Sequence, residues 1–166
     1  QRAKEILKNE GFKNFPFAKL WEILDVKYDE YYKENGVPIK KGLIKLLEFL
    51  KEKNMEMAVA TSSRRVKAEY LLEISGVKKY FDSIMCGDEI INGKPDPEIF
   101  FKTADVFGAK YENCVVLEDS INGIKAAKNA GMIPIMVPDM IKPTEEILGM
   151  IYKKANDLEE VIEILK

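Results

Sequence analysis

The chain has 166 residues, 46% of them hydrophobic and 33% charged, enough to bury the core of one or two compact domains. Its 26 basic and 28 acidic residues nearly cancel and are interspersed, so no broad basic field is available for nucleic acid or an anionic membrane, and any anion must be bound locally. The absence of histidine excludes Ser-His and Cys-His pairs and imidazole metal ligands, leaving carboxylates, hydroxyls and lysines, a donor set suited to a hard cation such as magnesium.

Residues 1 to about 35 are rich in Lys, Glu, Leu, Phe and Tyr, and Leu20, Ile23 and Leu24 share one helical face, so this stretch is expected to be helical with an interruption at Phe15-Pro16-Phe17. Gly36-Val37-Pro38 marks a break. Beyond it helices and short strands alternate. A helix over residues 41–54, with Leu43, Leu46, Leu47 and Leu50 on one stripe, leads into Met57-Ala58-Val59-Ala60, which reads as a buried parallel strand. A helix over 64–75 stops at Gly76, a strand follows at 83–86, and Asp96-Pro97 opens a helix to about Gly108. A strand at 114–117, a helix over 120–130 closed by Gly131, a strand at 133–137 and a last helix near 157–165 complete the pattern. Such alternation predicts an α/β fold with a parallel sheet flanked by helices, whose ligands bind beyond the carboxyl ends of the strands. Cys86 and Cys114 each lie in an apolar run and are expected as buried reduced thiols. No apolar run approaches the roughly 20 residues of a membrane span. Gln1-Arg2-Ala3-Lys4-Glu5 is unlike a signal peptide, so a cytoplasmic protein is expected.

Three segments at strand ends or in nearby loops carry the candidate chemistry. Ala60-Thr61-Ser62-Ser63 follows a strand and precedes a helix, so its hydroxyls and the first-turn N–H groups offer an anion cradle. Gly93-Lys94-Pro95-Asp96-Pro97 holds a lysine in a proline-bounded loop, aimed to neutralise a phosphate and a nearby carboxylate. Glu118-Asp119-Ser120 ends an apolar strand with two adjacent acids, which repel each other and call for a cation or ligand between them. Taken alone, the simpler reading of Thr61 or Ser63 is a helix cap, and of Lys94 a solvated loop lysine. Asp119 or Ser120 as a cap leaves Glu118 unexplained and favours a metal. Together the three segments fall at one edge of one sheet and describe a phosphate site with magnesium.

These motifs, in this order and spacing over residues 37–133, resemble the haloacid dehalogenase-like superfamily, in the branch of β-phosphoglucomutase and phosphatases with a helical cap. Thr61 in Ala-Val-Ala-Thr-Ser-Ser resembles its second motif, Lys94 in Gly-Lys-Pro-Asp-Pro its third, and Glu118-Asp119 in Leu-Glu-Asp-Ser-Ile-Asn-Gly-Ile its fourth. The resemblance implies that residues 1–36 are the second half of a helical cap and residues 37–166 a Rossmann-like core. It implies that Asp119 ligates Mg2+, that Glu118 ligates it or orients its water, that Lys94 bridges phosphate and nucleophile, and that Thr61, Ser62 and Ser63 hold phosphate oxygens. The family's first motif, Asp-x-Asp, occurs nowhere in the chain. In the family it supplies the nucleophile, the general acid/base and the central strand, between the strands ending at Thr61 and at Leu117. An upstream stretch of roughly 60 to 80 residues is therefore expected to supply these, and the chain alone to be inactive.

The expected activity is magnesium-dependent phosphoryl transfer on a small phosphorylated metabolite through an aspartyl phosphate, as a sugar-phosphate phosphatase or a β-phosphoglucomutase-like mutase. The protein is expected to be a monomer without nucleic-acid or membrane partners. A mutase needs two phosphate sites, for which the first segment offers Lys13, Lys19, Lys27 and Lys33. The alternatives are a catalytically inactive phosphate-binding or regulatory module, favoured by the missing nucleophile, and a haloacid dehalogenase, which would leave the acid pair without a use.

Overall fold

The computed structural model describes residues 15–166; the helix expected over 1–14, and Lys13 with it, lie outside the described residues. The chain divides into two units, Gln1–Val37 and Pro38–Lys166. The described part of the first is helix α1 (Phe17–Asn35), entered from Pro16 and ended at Gly36, whose φ is 73°. Leu20 and Leu24 are half-buried while Ile23 is exposed, and no residue of α1 is fully buried. Lys27 is paired with Glu30 at 2.8 Å along the same helix, and Lys19 and Lys33 are exposed.

The second unit contains α2 (Leu43–Glu52), β1 (Ala58–Ala60), α3 (Arg65–Ile74), β2 (Ser83–Met85), α4 (Glu98–Phe107), β3 (Val115–Glu118), α5 (Ile121–Asn129), β4 (Ile133–Met136), α6 (Glu145–Leu148), β5 (Lys153–Lys154) and α7 (Leu158–Leu165). The expected alternation is thus realised, with helix ends at most two residues inside the expected bounds. Asp157 caps α7 by accepting the Glu159 and Glu160 N–H groups at 3.0 Å. Helix α6 and strand β5 were not legible. Four and two residues respectively are too short for a periodic signal, and Lys153-Lys154 carries no apolar alternation.

All strand pairs are parallel, but the strands form two sheets, β1-β2 and β3-β4-β5, rather than one. Among the described residues β1 and β3 therefore each present one unpaired edge. The consequence shows in burial. β4, paired on both sides, has Pro134, Ile135 and Met136 buried, whereas β1, paired on one side, is half-buried throughout. Of the run expected as a buried strand, Met57-Ala58-Val59-Ala60, only Met57 is buried.

Side chains of β3 and β4 alternate between two apolar layers, as the strand period of two requires. Ile135 of β4 packs with Leu46 of α2 and with Leu158 and Val161 of α7, and Val115 and Leu117 of β3 join them. Met136 faces the other way, onto Ile124 and Ile147. Val116 of β3 meets Ile99, Phe100 and Ala104 of α4 and Ala126 and Ala127 of α5. Helices thus cover both faces, giving the Rossmann-like α/β architecture. Leu46 and Leu47 of the expected α2 stripe are buried, and Leu43 and Leu50 half-buried. Both thiols are free; Cys86 is fully buried, whereas Cys114 is only half-buried, at the exposed start of β3. Burial pushes both thiols' pKa up. Among the described residues, no helix is long and apolar enough to cross a membrane.

Candidate active site

Lys94 is not a solvated loop lysine. Its Nζ donates to the Ala60 carbonyl at 3.1 Å and, by a short contact, to Glu118 Oε1, and it lies 4.8 Å from the centre of the Phe100 ring. Both side chains of the Lys94–Glu118 pair are only 10% exposed. One ammonium thus ties the end of β1 to the end of β3 across the interval between the two sheets. The Lys94–Pro95 peptide is cis.

The loop that carries Lys94 is held from both sides. Its upstream arm is fixed by Glu98, whose carboxylate accepts the N–H groups of Ile91 and Asn92 at 2.9 and 2.8 Å and pairs with Lys102 at 2.8 Å. The Lys102 hydrogen bond, then the two backbone donors, bring the Glu98 carboxyl pKa down to about 2. Its downstream arm is fixed by Asp96, which accepts the Glu98 N–H at 2.9 Å, and by Asn129, which donates to the Pro95 carbonyl at 3.2 Å.

Glu118 is held as firmly from the other side. Its Oε2 accepts the Ser120 amide at 3.2 Å and the Ser120 hydroxyl at 2.9 Å. Ser120 in turn caps α5 by accepting the Gly123 N–H at 3.0 Å. Of the two residues weighed as the cap, Ser120 has the role and Asp119 does not. Gly123 packs against the acid itself. A β-carbon there would lie 2.0 Å from Glu118 Cδ and 2.1 Å from its Oε2, so only glycine lets the helix approach the carboxylate. Lys94 and Ser120 thus give both Glu118 oxygens partners within the protein, an ammonium on Oε1 and a hydroxyl and amide on Oε2. Asp119 differs: its carboxylate is exposed and engaged by no other group among the described residues. Such a carboxylate could hold a metal at this edge. The donor set of Asp119 and Glu118, all oxygen, fits Mg2+, which takes one or two carboxylates and completes its shell with water and substrate oxygens.

The hydroxyl loop departs from expectation. Thr61 N–H donates to the Met85 carbonyl at 2.9 Å, continuing the β1–β2 ladder, and Thr61 Oγ1 accepts the Ser63 N–H at 3.1 Å. Neither Thr61 nor Ser63 caps α3. The N-cap residue is Arg64, without a side-chain cap, and the Arg65 N–H is taken by Asp88 Oδ1 at 3.0 Å. The first amide of α3 is consequently closed to an anion, contrary to the expected cradle. What remains open is the exposed Ser62 and Ser63 pair, with the Ser62 N–H engaged by nothing among the described residues. The structure thus joins Lys94 to Glu118 directly and to Thr61 through its neighbour Ala60, while Asp119 and the two serines are turned to solvent.

Ser120 aside, the supporting residues were not legible as such. Gly123 had a signal, a glycine in the third position of a helix where alanine is the better former. Arg65, Asp88 and Glu89 had none, because their pairing joins the first residue of α3 to a loop 23 and 24 residues further on. Cys86, Asp88 and Glu89 bring potential ligand atoms within 4.8 Å of one another. Both carboxylates are bound to Arg65 and the thiol is buried, so this cluster is a structural network.

A model of the haloacid dehalogenase-like hydrolase family matches residues 2–137. A phosphorylated carbohydrates phosphatase of Thermotoga maritima is 40% identical over 105 residues, covering 63% of this chain and 46% of that protein. The chain therefore spans about half the length of that curated relative. The solved structure of CbbY from Rhodobacter sphaeroides in complex with phosphate matches with a TM-score of 0.76 at 27% identity, over 89% of this chain and 67% of that one. A β-phosphoglucomutase from Clostridium difficile shares the fold, with a TM-score of 0.76 at 23% identity over 99% of this chain and 73% of that one. With its motifs, fold and family match in agreement, the chain belongs to the haloacid dehalogenase-like hydrolases, in the β-phosphoglucomutase and phosphatase branch.

Proposed function

We propose that the site serves magnesium-dependent phosphoryl transfer on a small phosphorylated metabolite of the sugar-phosphate class. The observation that carries the reading is the Lys94 ammonium, fixed against Glu118 and the Ala60 carbonyl at the carboxyl end of two parallel strands, with the free Ser62 amide and Asp119 carboxylate at the same edge. Thr61, Ser62 and Ser63 would hold phosphate oxygens. Lys94 would neutralise charge on the transferring group and on the attacking carboxylate. Asp119 and Glu118 would hold Mg2+, which when bound supplies positive charge to the phosphoryl oxygens. The nucleophile is proposed to be an aspartate on a strand between β1 and β3, the position flanked by their unpaired edges, in a segment outside the 166 residues. Its carboxylate oxygen would form a bond to phosphorus as the ester C–O–P bond breaks at phosphorus, and the leaving oxygen would take a proton. The T. maritima relative, named for phosphorylated carbohydrates, supports the substrate class. The two free thiols accord with a reducing, cytoplasmic setting.

Phosphatase and mutase are separated by an assay of a polypeptide that includes the upstream segment, supplied with β-glucose 1-phosphate. Formation of glucose 6-phosphate identifies a mutase; release of phosphate alone identifies a phosphatase; turnover insensitive to EDTA overturns the metal-dependent reading and favours attack on carbon. A second reading is favoured by one observation, the absence of Asp-x-Asp from the chain. Residues 1–166 by themselves would bind phosphate and magnesium without turning substrate over.

A further inference from the structure

We propose that the loop Gly87-Asp88-Glu89, together with Arg65, is a positioning device that fixes the shape of the Thr61-Ser62-Ser63 loop for phosphate. The proposal rests on the phosphate role given to that loop, and it assigns four residues that do not themselves touch phosphate.

The two loops leave neighbouring parallel strands, β1 and β2, and are bonded together along their length. The Gly87 N–H donates to the Ser63 carbonyl at 2.9 Å, one step beyond the Thr61 to Met85 bond. Gly87 is pressed against the serine loop so closely that a β-carbon would stand 2.3 Å from the Ser62 carbonyl oxygen and 2.8 Å from its carbon. Asp88 then takes the Arg65 N–H, which closes the start of α3 at 3.0 Å. The Arg65 guanidinium reaches back over the same ground. It donates to the Ile84 carbonyl at 2.7 Å and to Glu89 at 2.6 Å, while Glu89 accepts the Cys86 N–H at 2.8 Å. Glu69, one helical turn on, holds the second guanidinium nitrogen at 2.9 Å.

Two consequences follow from this geometry. First, the backbone on both sides of the free Ser62 N–H is fixed, so that the amide is pre-aimed rather than ordered on binding. Second, the Asp88 carboxylate occupies the helix terminus where an anion would otherwise settle. It therefore confines phosphate to the Ser62 side of the loop, nearer Lys94's anchor at Ala60.

The test uses the isotope-labelled 166-residue chain, titrated with inorganic phosphate in the presence of magnesium, with the Thr61, Ser62, Ser63 and Arg65 amides followed by NMR. Asp88→Ala is expected to move the phosphate-induced shifts from Ser62 toward the freed Arg65 amide, and Asp88→Asn, which keeps the acceptor, to leave them at Ser62. Amide hydrogen exchange without phosphate is the second readout. Asp88→Ala and Gly87→Ala should speed exchange at Thr61 and Ser63, whose N–H groups are bonded to the Met85 carbonyl and to Thr61 Oγ1, while leaving Ile135 in the core unchanged, which separates local loosening from global unfolding. Unchanged exchange at Thr61 and Ser63 in both variants overturns the proposal whether or not phosphate binds. Absence of phosphate binding by the wild type, with exchange altered as described, overturns the phosphate role of the loop and leaves the clamp standing.

Discussion

Lys94 and Glu118 show how the site is held by chemistry that is costly to break. Each is largely buried, so removing one partner leaves the other charge without compensation, a loss on the order of 3 kcal/mol. Lys94→Met should therefore destabilise the chain by about 3 kcal/mol in urea denaturation, with much of that restored in Lys94→Met/Glu118→Gln. A single-variant loss under about 0.5 kcal/mol would show that the pair is solvated. Gly123→Ala sets two effects against each other. Helix propensity favours alanine by about 1 kcal/mol, whereas the added carbon would overlap the Glu118 carboxylate, a clash costing about 1 to 3 kcal/mol. A net loss of stability is expected, and a gain would mean that the carboxylate moves aside freely. Thr61, Lys94, Glu118 and Asp119 were legible in the sequence because hydroxyl, ammonium and carboxylate are conspicuous at the ends of apolar runs. What each touches was not. Glu118 carries its own counter-charge, and the serine loop is shaped by Asp88 and Gly87, which stand in a different loop and show no pattern linking them to it.

At the scale of elements, the Lys94 loop and α4 form one unit joined through Glu98. The Glu98 carboxyl has a pKa of about 2 against an ordinary value of 4.5. A depressed folded-state pKa means that the ionised form stabilises the fold, fully above the unfolded value and progressively less as pH falls through the folded one. Stability should thus decline between about pH 4.5 and about pH 2, and Glu98→Gln should flatten that decline when urea midpoints are compared across the window. Parallel slopes for the two proteins would show that the carboxylate does not lock the loop. Element existence was mostly readable, since stripes such as Leu43, Leu46, Leu47 and Leu50 and runs such as 133–136 carry their own period. Helix α6 and strand β5 escaped, being too short for a period to repeat.

The whole molecule is organised around the interval between β1 and β3. The α/β alternation predicted a single parallel sheet for a complete core, and the described residues form two, bridged at their carboxyl ends by Lys94. Amides on the unpaired edges of β1 and β3 should exchange at least about tenfold faster than those of Ile135, which lies between two partners. Equal protection would mean that the two sheets are hydrogen-bonded to each other in solution. The same interval is where a nucleophile strand would insert, so the carboxyl edge seen here should already be a working phosphate and metal site without it. Calorimetric titration of inorganic phosphate into the 166-residue chain, with magnesium and then with EDTA, examines that edge as it stands. Saturable binding that needs magnesium and falls about tenfold or more in Asp119→Asn is the expected result. Binding of equal strength in EDTA and in Asp119→Asn, or none under any condition in a folded chain, would contradict it.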